Sequence, residues 1–506
     1  MPSRWDPRPR AQPVSLAAIA QRQSILRVRG DERTMVTGIT LDSREVRPGD
    51  LFAALPGEHT HGRLHLSEAI SNGAVACLTD EAGVASANGL PTLVAEHPRA
   101  VLGAISAQIY GYPSRELTTV GITGTNGKTT VAHLVGSALR KAQIATGVIG
   151  TAGTSFDGVA FPAARTTPEA PALHALLARL RDDGAVAVAM EVSSHALELN
   201  RVDGVRFDIA AFTNLSQDHL DFHGTMEAYF SAKAKLFTPA FSARAVVAVD
   251  DAWGRRLSQE ARVPVTTVSL VPEVDADYRC IARTTDVRGR QHLTIRSPDG
   301  STHQVTIAMP AEFNAANALL AWTIAHLLSI DDGLINSAFS SARVPGRMEL
   351  IDAGQDYSVI VDYAHTPDAV ERVLSSLGGT GRVICVLGCG GDRDRAKRPE
   401  MGRIAAAYSD LLIITDDNPR GENPDDIRSA MMTEMTAQQR TGVINIGDRR
   451  EAIGRAISLA DTADTVVILG KGHEAGQEIE GVIYPFDDRD EARQYIDNRF
   501  AAGGPT

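Results

Sequence analysis

The chain has 506 residues, an apolar fraction of 43%, a charged fraction of 22% and a formal net charge of −12. These values suit about three globular domains and argue against wholesale nucleic-acid binding, while leaving room for an anionic small molecule at a locally basic site. The four cysteines, Cys77, Cys280, Cys385 and Cys389, form no Cys-x2-Cys pair and read as reduced thiols of a cytoplasmic protein. No apolar run approaches the roughly 18 residues that would suggest a membrane span. Met1 to Pro13 carries Arg and Pro without an apolar stretch, so a disordered lead-in is expected there, as for the tail Ala501 to Thr506.

A first block reaches residue 112 and contains Leu41-Asp42-Ser43-Arg44 and Pro48-Gly49-Asp50-Leu51-Phe52. Pro113-Ser114 makes the joint to a second block, 113–343, and Val344-Pro345-Gly346 the joint to a third, 344–506. The second block opens on the β-branched run Thr118-Thr119-Val120, continues through Gly121-Ile-Thr-Gly124-Thr125-Asn126-Gly127-Lys128-Thr129-Thr130, and enters a helical pattern from Val131 to Gln143. Strand, glycine-rich loop and helix together form a phosphate cradle: backbone N–H groups and the helix N-terminus face the anion. Lys128 supplies a cation for the β- and γ-phosphates, and the Thr129 hydroxyl a ligand for Mg2+. The general P-loop spacing would put Gly where Ile122 stands, so the match is to its core only.

Further on, short apolar runs end in polar residues: Ala185–Met190 before Glu191, Ile209–Thr213 before Asn214, Val359–Val361 before Asp362, Val383–Leu387 before Gly388, Leu411–Ile414 before Thr415, and Val466–Leu469 before Gly470. Such runs fit buried parallel strands, whose carboxyl ends are where open α/β sheets bind ligands. Glu191 could complete a Mg2+ site with Thr129 or merely cap the following helix. Asn214 to His223 places Asp218, His219, Asp221 and His223 within six residues, for metal ligation or for positioning near phosphates. Lys233, in Tyr229 to Phe237, reads on its own as a solvated charge on an amphipathic helix. In the third block, Arg347, Asp362, the Gly388 to Arg395 loop, Asp417-Asn418-Pro419-Arg420 and Gly470-Lys471-Gly472-His473-Glu474 would together suit a zwitterion, with Arg393 and Arg420 for carboxylates and acids for an ammonium.

These motifs, in this order from Leu41 to Glu474, resemble the Mur ligases, in the branch that adds a diamino acid. The match lies in Gly124 to Thr129, Met190 to Leu197, Asn214 to Gly224, Ala232 to Phe237, Gly388 to Pro399 and Asp417 to Arg420. The resemblance implies three α/β domains: a uridine-binding domain at 1–112, a P-loop ATPase with a mostly parallel sheet at 113–343, and a Rossmann-like domain at 344–506. It implies ATP and Mg2+, with Thr129, Glu191, His219 and a carbamate (from CO2) on Lys233 as metal ligands. Lys128, Glu191, His219, Lys233, Arg347 and Asp362 would be catalytic, and ATP would meet Gly124 to Thr130, Asn314, Asn317, Arg347 and Asp362.

UDP-MurNAc-L-Ala-D-Glu would meet Leu41, Ser43, Glu58, His59, Thr60, Thr166, Thr167, Ser193 and Arg201. meso-Diaminopimelate would meet Arg393, Asp417, Asn418, Pro419, Arg420, Gly470 and Glu474. The implied reaction is an ATP-driven amide ligation for peptidoglycan in the cytoplasm, by a monomer whose third domain closes onto the second. Leu199, His61, Arg165 and Ala311 depart from residues usual in the family, which are Gln, Asp, Asn and Gly. An L-lysine-adding ligase and a P-loop switch without ligase chemistry are the alternatives; Arg420 speaks against lysine, which lacks a second carboxylate.

Overall fold

The computed structural model describes residues 6–23, 26–57, 60–161, 165–286, 290–377 and 381–502. The chain divides into two compact units. One is Met1–Arg283 with Leu293–Val305 and Ala316–Phe339; the other is Thr284–His292 with Thr306–Ala315 and Ser340–Thr506. The class is α/β.

In the first unit, a five-stranded sheet runs in the order Arg27–Arg29, Thr92–Val94, Ala76–Thr79, Asp50–Ala53, Gly38–Thr40. Its first pairing is antiparallel and the rest are parallel. The larger sheet has eleven strands, and its middle places Thr146–Gly150, Ala187–Glu191, Thr118–Thr123, Phe207–Phe212, Ser242–Ala248 and Val265–Ser269 side by side, all parallel. Helix Ala170–Asp182 binds the two layers. Ala170, Ala175 and Ala178 enter the core of the smaller sheet, while Leu173, Leu176, Leu177 and Leu180 enter that of the larger. Small residues on one face and leucines on the other let a single helix serve two cores.

Several expectations change in detail. The strands expected to stop before Glu191 and Asp362 include them: Glu191 pairs with Ile122 and Asp362 with Leu469. A polar side chain does not interrupt a backbone ladder, so apolar runs end one residue early. The helix expected from Val131 to Gln143 spans Lys128–Lys141, because Gly127, at φ 89°, already caps it. The described part of the lead-in is not disordered. Arg8 pairs with Asp50 and donates to the Glu45 carbonyl at 2.9 Å, and the Ala11 amide donates to the Thr37 carbonyl at 3.0 Å. Met1–Trp5 lie outside the described residues; at the other end, helix Asp488–Ala502 takes in Ala501 and Ala502, and the remainder of the tail lies outside them.

The second unit carries a six-stranded sheet in the order Glu349–Leu350, Ser358–Asp362, Thr465–Leu469, Val383–Leu387, Leu411–Ile414, Val443–Asn445. Only the first pairing is antiparallel. Valines, isoleucines and leucines of these strands fill a core on each face, as buried parallel strands require. The strand ends at Asp362, Leu387, Ile414 and Leu469 therefore open on the same edge. Helix Asp488–Ala502 is anchored there by a fully buried pair, Arg449 with Asp488 at 2.7 Å, while Arg449 also donates to the Leu469 carbonyl at 3.0 Å. Among the described residues no helix is long and apolar enough to cross a membrane.

Candidate active site

The glycine-rich loop is held from behind by the strand-end segment at Thr213–Ser216. The Thr125 amide donates to the Asn214 carbonyl at 2.9 Å, the Asn126 amide to Asn214 Oδ1 at 3.0 Å, and Thr213 Oγ1 to the Asn126 carbonyl at 2.6 Å. Gly124 lies at φ 145°, and a Cβ there would run into Thr213 Oγ1. Only glycine fits, for steric reasons as well as conformational ones. Asn317 packs against Gly127, while Asn314, almost fully buried, donates to the Pro310 carbonyl at 2.8 Å.

Two lysines converge on one carbonyl. Lys128 Nζ donates to the Gly124 oxygen at 3.0 Å and to that of Thr125 at 2.8 Å; Lys233 Nζ donates to the same Gly124 oxygen at 2.8 Å. Lys233 is not a solvated charge: it is 1% exposed and lies 4.4 Å from the centre of the Tyr229 ring. Burial, and then the neighbouring Lys128, push its pKa well below that of an ordinary lysine. Stripping water from an ammonium costs several kcal/mol or more, which shifts Lys233 toward the neutral amine. Helical spacing alone could not reveal this, because the buried face of helix Met226–Ala234 has no clean apolar periodicity.

Glu191 is 1% exposed and collects three donors. Thr129 Oγ1 lies 2.9 Å and the Thr151 amide 2.7 Å from its Oε1, and Thr151 Oγ1 lies 3.2 Å from its Oε2. Thr166 Oγ1 lies 3.0 Å from Thr151 Oγ1; Thr167 Oγ1 donates to the Glu191 carbonyl at 3.0 Å and accepts from the Ser193 amide at 3.1 Å. Hydroxyl and carboxylate oxygens beside a phosphate loop suit Mg2+, which needs few protein ligands. Among the described residues no group of three or more His, Cys, Asp or Glu side chains makes a ready-built cage.

His219, at φ 53°, packs edge-on to His195 at 4.7 Å, and burial lowers its pKa although Asp218 opposes this. His195 in turn stacks on Phe222 at 4.2 Å, and His223 meets Ser194 Oγ at 2.9 Å. Arg201 pairs with Glu169 at 2.9 Å, where Arg99 and Arg165 also arrive at 3.2 and 3.5 Å, leaving three cations on one carboxylate. Leu41, Ser43 and Thr60 lie in the turns that follow strands of the smaller sheet: Ser43 Oγ donates to Glu68 at 2.5 Å, and the Thr60 carbonyl accepts from the Gly57 amide at 2.9 Å. Glu58 and His59 lie outside the described residues. His61 does the work of an Asp N-cap, accepting from the Arg63 amide at 3.0 Å.

In the second unit, Asp362 is buried and binds the amides of Met348 at 2.7 Å and Ala364 at 2.8 Å. Burial raises its pKa, against the pull of Arg347 and those amides; Arg347 itself lies 4.6 Å over the Tyr363 ring. The strand ends bring together the Asp417–Arg420 turn, Gly470 and Glu474. Gly470, at φ 114°, lies so close to Asp417 that a Cβ would displace the carboxylate. Asn418 Nδ2 donates to Glu474 Oε2 at 2.9 Å, and the Pro419 carbonyl accepts from the Glu422 amide at 3.0 Å. Arg420 donates from Nε to Glu478 at 3.1 Å and from Nη1 to the Gly391 carbonyl at 2.8 Å; among the described residues its Nη2 has no protein partner. Arg393 is exposed, on a loop braced by Arg398 with Glu422 at 2.8 Å.

The Mur ligase domain descriptions match three stretches of the chain: the family's catalytic domain at residues 35–110, its middle domain at 122–325, and its glutamate ligase domain at 346–472. The chain is 46% identical over 500 residues to a UDP-N-acetylmuramoyl-L-alanyl-D-glutamate–2,6-diaminopimelate ligase of Streptomyces coelicolor, covering 97% of this chain and 98% of that one. It belongs to the Mur ligase family.

A protein of the same name from Corynebacterium glutamicum is 46% identical over 473 residues, or 90% of this chain and 91% of that one. A solved structure titled with that name is 34% identical and superposes with a TM-score of 0.69 over 96% of this chain and 99% of that one. In this Mur ligase, sequence reasoning left out Thr151, Glu169, Arg99 and Glu478, and it quoted Lys471 within its motif without giving it a role. Thr151 and Glu169 stand outside any dense motif. Glu478 sits on the hairpin Gly476–Ile479 and Val482–Pro485, whose link to Arg420 is purely tertiary.

Proposed function

We propose that this Mur ligase joins meso-diaminopimelate to UDP-MurNAc-L-Ala-D-Glu in the cytoplasm, using ATP and releasing ADP and phosphate, with domains at 1–112, 113–343 and 344–506. The observation that carries the reading is the pairing of a lysine-lined phosphate loop with a strand-end turn that offers Arg420, Asp417 and Glu474 to a zwitterion. The name shared by relatives 46% identical supports the same substrates.

A carboxylate is a poor electrophile because oxide would have to leave. One oxygen of the D-Glu γ-carboxylate therefore attacks the γ-phosphorus of ATP, ADP departs, and an acyl phosphate results. Lys128 and the loop amides bind the phosphates and offset the charge that builds up during transfer. Thr129, Glu191 and His219, with a carbamate on Lys233, would hold Mg2+, which supplies further charge neutralisation when bound. Thr166, Thr167, Ser193 and Arg201 orient the peptide end of the nucleotide substrate, with Leu41, Ser43 and the Glu58–Thr60 turn at its uridine end; Asn314, Asn317, Arg347 and Asp362 serve ATP. The diamino acid is held by Arg393, Asp417 to Arg420, Gly470 and Glu474. Its amine attacks the acyl carbon, the amide bond forms, a proton is lost from nitrogen, and phosphate leaves with the oxygen that came from the carboxylate.

The carbamate needs a neutral amine to attack CO2. Lys233 fits, being fully buried and lowered in pKa by that burial and by Lys128. Incubation with 13C-bicarbonate and observation of a carbamate resonance, absent in Lys233→Ala, tests it. The reading as a whole is tested by phosphate release with ATP, Mg2+ and the nucleotide dipeptide, comparing meso-diaminopimelate with L-lysine and weighing the product by mass. Turnover with diaminopimelate alone is expected. Turnover with lysine overturns the specificity, and absence of product with either amine overturns the ligase.

A further inference from the structure

Lys471, at the strand ends of the second unit, is a charged side chain with no accessible surface at all. It stands between two glycines in left-handed conformation, Gly470 at φ 114° and Gly472 at φ 53°, which turn its side chain inward. Its Nζ donates to Asn418 Oδ1 at 3.0 Å and to Glu474 Oε2 at 3.2 Å. Asn418 closes the triangle, donating from Nδ2 to the same Glu474 oxygen at 2.9 Å, and the Glu478 amide adds a second donor to Asn418 Oδ1 at 3.0 Å.

Buried ammonium groups are retained where they are paired and hydrogen-bonded, and such a network fixes the rotamers of its members. Here it decides which atoms remain for a ligand. With Oε2 of Glu474 committed twice, Oε1 has no hydrogen-bond partner among the described residues. With Oδ1 of Asn418 committed to two donors, its amide orientation is set and one Nδ2 hydrogen is left over. One free acceptor on a carboxylate beside one free amide donor matches the ammonium and carboxylate of an α-amino-acid head.

We propose that Lys471 is a positioning residue for the amino-acid substrate: it locks Asn418 and Glu474 so that their remaining atoms read the ammonium and carboxylate of the incoming diamino acid. The inference rests on the ligase reading above. Its test is steady-state kinetics of Lys471→Met with each substrate varied in turn. KM for meso-diaminopimelate is expected to rise about tenfold or more, with kcat at saturation and the KM values for ATP and the nucleotide dipeptide nearly unchanged.

Lys471→Gln keeps a donor without the charge, and it carries the test if the Met variant melts too early to assay; its KM should fall between wild type and Met. In the double variant Lys471→Met/Glu474→Gln, the combined loss should be clearly smaller than the product of the two single losses, since one of the two side chains that Lys471 holds, Glu474, is already altered and only Asn418 is left to it. An unchanged KM for diaminopimelate, a parallel rise in KM for ATP, or multiplying losses in the double variant would overturn the role of Lys471. Absence of wild-type product with diaminopimelate would instead overturn the ligase reading, so the two failures are distinguishable.

Discussion

The two halves of the chemistry treat charge in opposite ways. In the first unit the amino groups of Lys128 and Lys233 rest on the loop carbonyls of Gly124 and Thr125. In the second, cations sit on carboxylates: Arg420 on Glu478, Lys471 on Glu474, Arg398 on Glu422. A site for a polyanion keeps its positive charge, here that of Lys128, on weak neutral acceptors, so that phosphate is a better partner than the protein. A site for a zwitterion gains nothing from net charge. It is balanced beforehand, and it selects by where the leftover donors and acceptors point.

The sharpest way to break this contrast is to remove a cation from the first unit. Lys128→Ala is expected to lower kcat about a thousandfold, through lost stabilisation of the transferring phosphoryl group. A loss within tenfold, read by phosphate release, would mean that the loop amides suffice.

The frame of the first unit gives the next largest effect. His174, on the helix shared by two cores, is fully buried, and its Nε2 donates to the Asp203 carbonyl at 2.9 Å. Among the described residues its Nδ1 has no partner. Burial lowers its pKa to about 4. Since the ordinary value is about 6.5, the unfolded chain binds a proton between those pH values that the folded chain refuses. Stability should therefore fall as pH drops from about 6.5 to about 4, by up to roughly 3 kcal/mol. Urea titrations should show that slope lessen in His174→Gln, whatever the absolute stability of that variant.

In the second unit the contrast is sharpened by Arg420→Ala. Losing a charge-assisted bond to the distal carboxylate should reduce kcat/KM for meso-diaminopimelate by about 10- to 100-fold, while leaving the KM values for ATP and the nucleotide dipeptide nearly unchanged. If those KM values rise in parallel, Arg420 only holds the turn. The smallest effect expected is on stability. Ala311 occupies the left-handed region at φ 75°, where its Cβ is strained, so Ala311→Gly should raise stability by about 0.5–1 kcal/mol. A drop would show that chain entropy outweighs the strain.

The same contrast explains what could be read in advance. The phosphate half is written contiguously: Gly124 to Thr130 is one loop and one helix start, and each strand end was marked by an apolar run. Lys233 could not be read from its helix, because its burial depends on Tyr229 and on the loop 109 residues away in sequence. The amino-acid half is assembled from separated segments, so its motifs were visible but their wiring was not. Nothing in Asp417 to Arg420 indicates that Glu478 holds the arginine or that Lys471 holds the asparagine. The usual glycine at 311 gains its reason from the positive φ of Ala311, which only the backbone reveals.

The most direct test of the account is to follow oxygen. With both γ-carboxylate oxygens of the nucleotide dipeptide labelled with 18O, and ATP and meso-diaminopimelate unlabelled, the phosphate released is analysed by mass. Attack of the carboxylate on ATP followed by attack of the amine predicts one 18O in each phosphate and one retained in the new amide. Unlabelled phosphate accompanying amide product would contradict activation of the carboxylate as an acyl phosphate, and with it the division of work between the two halves.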